Sequence, residues 1–257
     1  MASLINFIKK IFSKQETTYR RMNNPRRRVS TESYLLEYRY SGYPKKYILN
    51  RYLELNRAYR ITHPKHHYVP HITIAGPIVT DNERKLIEEL QEIIFKNAYH
   101  FHEPGNLVGT GKFIIFDTDI GGKVLAIELK PPKSLVNLKK DIEFNLNKSE
   151  NFKCQVYKKE IWHTTLWNTK NNFHANKEKF QKVWHNLENN PQEMKFILDR
   201  LTLIRNGLIL KEFDLVELRV YNRIESLNNN KRYESYLKLK KELESKGESF
   251  KSSRIQL

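Results

Sequence analysis

Two short segments decide the fold, "PHITIAGP" at residues 70–77 and "WHTTLW" at residues 162–167. Each contains a histidine, a threonine two positions later and then an apolar residue. Side chains two apart in a β-strand point to the same face, so His71 and Thr73 share a face, as do His163 and Thr165. If the two strands lie close together, two imidazoles and two hydroxyls face one cleft.

Strand and helix patterns alternate around both segments. Period-two alternation predicts strands, and apolar residues at helical spacing predict helices. The predicted strands cover 34–42, 68–76, 112–120, 123–130, 160–168, 195–207 and 213–221, and the predicted helices cover 44–59, 83–95, 134–146 and 177–189. Thr80 and Glu83 have the spacing of a capping box before the second helix. We therefore expect an α+β fold of two similar halves, each with a His-x-Thr strand followed by a helix.

The two ends of the chain differ in composition from its middle. Residues 1–30 carry eight Lys and Arg against one acidic residue, and we interpret them as a basic N-terminal extension. Within it, 3–14 has an apolar helical stripe that could pack on its own domain, bind a partner or lie on a membrane surface. Residues 31–225 form the predicted folded domain, and 226–257 a basic tail with a charged helix around 231–245.

The chain is strongly basic, with 46 Lys and Arg, 29 Asp and Glu and a formal net charge of +17. A field of this sign attracts polyanions such as RNA, DNA or an anionic membrane surface. Lysine-rich codon usage is the alternative explanation of the lysine excess. Cys154 is the only cysteine, which excludes an intramolecular disulfide and a cysteine-based structural zinc site. Because no secretory signal and no apolar run of about 18 residues is found, we expect a cytoplasmic protein.

The paired motifs suit cleavage of a phosphodiester without a metal. One imidazole can take a proton from an attacking water or hydroxyl while the other gives a proton to the leaving oxygen. Threonine hydroxyls can donate hydrogen bonds to the phosphoryl oxygens as negative charge builds there. The residues therefore predict acid–base catalysis with no cofactor, and they leave open which histidine is the base.

In these motifs and in the order of elements around them, residues 34–222 resemble the two-histidine (2H) phosphoesterase superfamily, which includes 2′-5′ RNA ligase-like and cyclic phosphodiesterase proteins. The resemblance implies a bilobal α+β fold, with two pseudo-symmetric antiparallel-sheet lobes and helices on the outside. It implies that His71 and His163 are catalytic and that Thr73 and Thr165 hold the phosphate. It also implies metal-independent activity on cyclic phosphates, 2′-5′ linkages or cyclic oligonucleotides.

The sequence departs from the family pattern just after the second motif. Many relatives have an arginine where this chain has Asn168, so the substrate contacts of that arginine are not carried over. Trp167, the preceding residue, is predicted to bind substrate by stacking on a base. A position in the core is the alternative for this tryptophan.

Four histidines crowd the start of the first motif, at positions 63, 66, 67 and 71. A metal site is the alternative interpretation of this cluster, because imidazole is a common metal ligand. Pro64 and Pro70 break the helix that His-x-x-x-His ligation would use, and no cysteine is near. We therefore predict no metal, and we interpret the three histidines before His71 as loop residues.

The sequence thus predicts a metal-independent phosphodiesterase that opens a cyclic phosphate in RNA or in a cyclic nucleotide. Two alternatives stay open: a 2′-5′ RNA ligase that runs the reverse reaction on the same residues, and an RNA-binding protein with the same fold and no turnover. The predicted partner is RNA or a cyclic nucleotide as substrate, with the basic termini in contact with nucleic acid.

Overall fold

The structure is a computed structural model that describes residues 32–62, 67–118, 122–156, 161–169, 173–187 and 191–248. The strands are β1 (Glu32–Arg39), β2 (His71–Thr80), β3 (Val108–Asp117), β4 (Lys123–Lys130), β5 (Lys153–Cys154), β6 (His163–Asn168), β7 (Lys195–Phe196), β8 (Arg200–Arg205), β9 (Leu208–Asp214) and β10 (Arg219–Asn222). The helices are α1 (Gly42–Tyr59), α2 (Glu83–Ala98), α3 (Lys133–Lys148), α4 (Phe173–Asn186), α5 (Arg223–Ser226) and α6 (Asn229–Ser245), with a 3-10 helix at Tyr99–His102. The predicted extension over 1–30 lies outside the described residues.

Two antiparallel sheets form the framework, and each contains one His-x-Thr strand. The six-stranded sheet has the order β10-β9-β8-β1-β2-β5, and the four-stranded sheet has the order β6-β4-β3-β7. In the first sheet, β1 and β2 approach closely at Gly76, where a Cβ would lie 2.9 Å from the carbonyl oxygen of Tyr34. Gly76 also has a φ of 118°, which only glycine adopts readily. The predicted α+β class with two antiparallel sheets is confirmed.

The helices pack against both sheets. Helix α1 contacts β6 and α4, whereas α2 and α3 contact each other and α3 also contacts β2 and β5. The main hydrophobic core draws on both sheets, with fully buried residues such as Leu36, Ile74, Leu203 and Ile127. Burial of apolar area of this kind is the dominant favourable contribution to folding. No helix of the described residues is both long and apolar enough to cross a membrane.

Three local predictions were wrong, each for a physical reason. The strand predicted over 195–207 is two strands, because β7 pairs with β3 while β8 pairs with β1 in the other sheet. The strand predicted over 213–221 is interrupted by a turn, in which the Asp214 carboxylate accepts hydrogen bonds from the backbone N–H groups of Val216 and Glu217. Helix α2 is capped by the Asn82 side chain, which accepts from the Lys85 N–H, and not by Thr80.

Helix α6 lies within the predicted tail and packs on the folded domain. Its Leu239 and Leu243 are fully buried, in a cluster with the largely buried Leu107, Ile197 and Val216. Its Ser235 hydroxyl donates to the Asp214 carboxylate at 2.6 Å, beside an ion pair of Asp214 with buried Arg200 at 3.0 Å. In the described residues, the segment after residue 225 therefore still packs on the domain.

Removing either buried leucine of α6 tests whether this helix contributes to the stability of the domain. We expect Leu239→Ala or Leu243→Ala to lower the free energy of unfolding by about 2–5 kcal/mol, because each leaves a cavity in a closed cluster. Urea unfolding of the full chain measures this change. Leu227, which is 62% exposed, is the matched control, and its replacement by alanine is expected to cost less than about 0.5 kcal/mol. Equal effects of all three changes would contradict the packing of α6.

Candidate active site

The two His-x-Thr motifs lie on β2 and β6 with the predicted alternation of faces. On β2, Ile72 and Ile74 are buried in the core, while His71 is half-buried and Thr73 is exposed on the other face. On β6, Thr164 and Leu166 are buried, while His163 and Thr165 are half-buried. The buried residue between the functional positions, Ile72 on β2 and Thr164 on β6, thus anchors each strand in the interior and turns the histidine and threonine side chains out of it.

Both imidazoles are held in the same way. The Nδ1 atom of His71 lies 2.9 Å from the carbonyl oxygen of Val69, and the Nδ1 atom of His163 lies 2.7 Å from the carbonyl oxygen of Ile161. A carbonyl can only accept, so Nδ1 carries the proton in both rings. In each neutral ring, Nε2 is then left as a basic nitrogen. This matched pair of backbone hydrogen bonds fixes the tautomer that acid–base chemistry at Nε2 requires.

The structure brings the two histidines together. Strands β2 and β6 are in contact although they belong to different sheets. Burial lowers the pKa of His163, the hydrogen bond to Ile161 opposes this, and the charge of His71 lowers it further. The edge of the His163 ring also meets Phe116, with centroids 4.8 Å apart and planes at 68°. His163 is therefore the imidazole whose protonated form is destabilised.

Tyrosines from the first half of the chain hold the second motif. The Tyr40 and Thr164 hydroxyls lie 2.5 Å apart in the buried interior, and the Tyr40 N–H donates to the carbonyl of Pro70. The Tyr68 hydroxyl donates to the carbonyl oxygen of Thr165 at 2.8 Å. The residues that flank the first motif are thus bonded directly to the residues of the second, which fixes the spacing of the two histidines.

Trp167 occupies the core and not a surface on which a base could stack. It is 3% exposed, and its ring packs against Phe180 with centroids 5.3 Å apart. The pairing of β4 with β6 shifts register between Thr165 and Trp167. Because such an irregularity interrupts strict alternation, Leu166 and Trp167 are both buried. Of the two roles predicted for this tryptophan, the structure gives it the one in the core.

Two charged residues of β1, Glu37 and Arg39, lie beside His71 and were not predicted. One Glu37 carboxylate oxygen is 2.6 Å from Arg39 Nε, and the other is 3.9 Å from His71 Nε2. The carboxylate is almost buried, with a side chain 6% exposed. Period-two alternation with the buried residues Leu36 and Tyr38 places Glu37 and Arg39 on one face of the predicted first strand. That signal could have identified them.

Of the three histidines before His71, the structure describes only His67. His67 is exposed, and His63 and His66 lie outside the described residues. Within the described part of the chain, no three His, Cys, Asp or Glu side chains come together as a metal site would require. The single cysteine, Cys154, is buried, and burial raises the pKa of its thiol to about 11.

Comparison with known proteins gives structural neighbours only. No protein-family model and no curated protein matches the chain. It is similar to Usb1 of Kluyveromyces marxianus, with 12% identity and a TM-score of 0.43 over 72% of this chain and 99% of that one. The same protein solved with uridine monophosphate gives 13% identity, a TM-score of 0.41 and coverage of 72% and 98%. The MHV ns2 PDE domain gives 17% identity, a TM-score of 0.39 and coverage of 68% and 99%.

At these identities and TM-scores, the interpretation of the site rests on its own geometry. In that geometry, two antiparallel sheets each contain one His-x-Thr strand, and the two strands are in contact.

The lowered pKa of His163 predicts a contribution to the dependence of stability on pH. The unfolded chain takes up a proton on His163 near the usual histidine value of about 6.5, before the folded protein does. Stability from this residue is thus complete above that value and falls as the pH drops through the window below it. We expect His163→Gln to reduce the loss of stability between pH 7.5 and pH 5, measured by urea unfolding at both. The same change at exposed His185 is the control, and equal behaviour of the two variants would contradict the burial of His163.

Proposed function

We propose that this protein is a metal-independent phosphodiesterase that hydrolyses a cyclic phosphate, either an RNA 2′,3′-cyclic phosphate or a cyclic nucleotide. The single observation that carries the proposal is the matched anchoring of His71 and His163. Each donates its Nδ1–H to the carbonyl two residues earlier, so that two Nε2 atoms are prepared alike for proton transfer. Of two imidazoles in one site, the one with a free Nε2 can act as general base and the one protonated at Nε2 as general acid.

The proposed reaction opens the cyclic phosphate by attack of water. One imidazole accepts a proton from the water as its oxygen bonds to phosphorus. The bond from phosphorus to one ribose oxygen breaks, and the other imidazolium gives its proton to that oxygen, so that a phosphomonoester and a hydroxyl result. One proton is taken up and one is given, and the enzyme returns to its starting state after the two imidazoles exchange a proton with solvent.

The groups around the histidines suit the charge that develops on the phosphoryl oxygens. Thr73 and Thr165 stand two residues after the histidines on the same strand faces, and their hydroxyls are proposed to donate to these oxygens. Arg39 adds a cation on β1, paired with the Glu37 carboxylate whose other oxygen faces His71. The net charge of +17 favours the approach of a polyanionic substrate at low ionic strength.

The direct experiment is turnover of 2′,3′-cyclic mononucleotides and of an RNA oligonucleotide that ends in a 2′,3′-cyclic phosphate. We expect His71→Ala and His163→Ala each to lower kcat/KM by about 100- to 10,000-fold, as loss of a general acid or base does. The double variant should be little worse than either single one, because the two groups act in one step. Added EDTA should leave the rate unchanged.

The matched control is His185→Ala, which removes an exposed histidine on α4. It should retain the activity of the unaltered protein. Full activity of the double variant would sink the proposal, and so would a protein that binds these substrates but turns over none of them. An assay that also supplies a 5′-hydroxyl RNA end tests the reverse reaction, in which the same residues would join the two ends as a ligase.

A further inference from the structure

We propose that Glu37 assigns different roles to the two histidines, so that His71 is the general acid and His163 is the general base. Glu37 acts through His71 and is therefore a positioning residue. This inference rests on the proposed function and deepens it, since neither the motif nor its symmetry distinguishes one histidine from the other.

The geometry around His71 favours a proton on its reactive nitrogen. With Nδ1 bonded to Val69, Nε2 faces the second oxygen of the Glu37 carboxylate at 3.9 Å. A carboxylate at this distance stabilises positive charge on the imidazole, and more strongly in a partly desolvated site than in water. Glu37 itself is 4% exposed, whereas the His71 side chain is 38% exposed, so solvent screens the interaction from the side of the imidazole.

The carboxylate is held in place by its neighbours on the sheet. Arg39 donates from Nε to the other oxygen of Glu37 at 2.6 Å. The carbonyl of Arg39 accepts a hydrogen bond from the guanidinium of Arg232 on α6 at 2.9 Å. On the next strand, Thr202 stands directly opposite Glu37 and thus on the same face. Glu37 is therefore part of a buried polar row. The positive charge of Arg39 offsets the repulsion between the Glu37 carboxylate and a phosphate bound near it.

His163 has the opposite surroundings. The edge of its ring meets the apolar ring of Phe116, and burial lowers its pKa. The charge of His71 lowers the pKa of His163 further. Among the described residues, the charged or titratable groups that interact with His71 are Glu37 and His163, and Arg39 pairs with the far oxygen of Glu37. One histidine thus faces a carboxylate and the other an apolar ring and a cation, which is the separation that an acid and a base need.

In this assignment, one histidine acts on the attacking water and the other on the leaving oxygen. His163 Nε2 takes the proton of the attacking water, and His71 Nε2 gives its proton to the ribose oxygen that leaves phosphorus. Glu37 exchanges no proton in the step and stabilises the imidazolium that precedes it. After turnover, His163 releases a proton to solvent and His71 takes one up.

The test is the pH dependence of kcat/KM for Glu37→Gln, measured on the full chain with a 2′,3′-cyclic mononucleotide. Glutamine keeps the size of the side chain and removes its charge. Loss of the charge should reduce the fraction of His71 that is protonated, so we expect kcat/KM to decrease about tenfold at pH 8 and clearly less at pH 6, where more of the imidazole is protonated in either protein. Glu37→Asp, which keeps a carboxylate, should recover part of the activity at pH 8.

Glu83→Gln is the control, because Glu83 also pairs with an arginine, Arg205, away from His71, although Glu83 is half-buried and Glu37 is buried. It should leave the pH profile of the unaltered protein in place. A loss in Glu37→Gln that is the same at pH 6 and pH 8 would indicate a structural role and overturn the assignment, as would no loss at either pH.

A readout without substrate separates this inference from the proposed function. The ring proton resonances of His71 can be followed against pH by NMR in the substrate-free protein and in Glu37→Gln. We expect the variant to lose the His71 proton at a lower pH than the unaltered protein does. Identical titration of His71 in the two proteins would overturn the assignment, whereas absence of turnover with any cyclic phosphate would overturn the proposed function alone.

Discussion

The hydrogen bond between the hydroxyls of Tyr40 and Thr164 joins the two halves of the fold at the point where the chemistry is proposed to occur. Tyr40 follows β1 in the six-stranded sheet, and Thr164 lies inside the motif of the four-stranded sheet. Both groups are buried, and a buried hydroxyl that loses its partner costs about 1–3 kcal/mol. The separation of β2 and β6 is therefore set by buried contacts. The imidazoles inherit it, because each is anchored to its own strand by a backbone carbonyl.

The parts of the fold that follow from local periodicity could be predicted from the sequence. Alternation in "HITI" and "HTTL" placed His71 and His163 on one face of each strand, with Ile72 and Thr164 buried on the other. Helix α2 was equally clear, because its apolar residues recur at helical spacing and five of them, Leu86, Leu90, Ile93, Ile94 and Ala98, are buried. These features depend on neighbours within a few positions, so a single sequence contains the information.

The features that depend on distant contacts could not be predicted in the same way. No local pattern indicates that the chain crosses from one sheet to the other between Phe196 and Arg200, since apolar residues stand on both sides of Asp199 and Arg200 and the segment suits one continuous strand. The register shift that buries Trp167 is likewise set by the partner strand β4. The contact of Glu37 with His71 is predictable only in part. The face of β1 on which Glu37 lies follows from local alternation, whereas the pairing that puts His71 beside it does not. The packing of α6 could not be predicted from its composition, because its charged residues outnumber its apolar ones, among which Leu239 and Leu243 are buried in the cluster.

The central claim is that one phosphoryl group is flanked by the Nε2 atoms of both histidines. A crystal structure of the full chain with uridine vanadate, which mimics the trigonal-bipyramidal transition state of phosphoryl transfer, tests it most directly. The claim predicts that the two apical oxygens of the vanadate lie within about 2.6–3.2 Å of Nε2 of His71 and of His163, one oxygen on each. A vanadate that is bound by only one imidazole, or that binds away from β2 and β6, would contradict it.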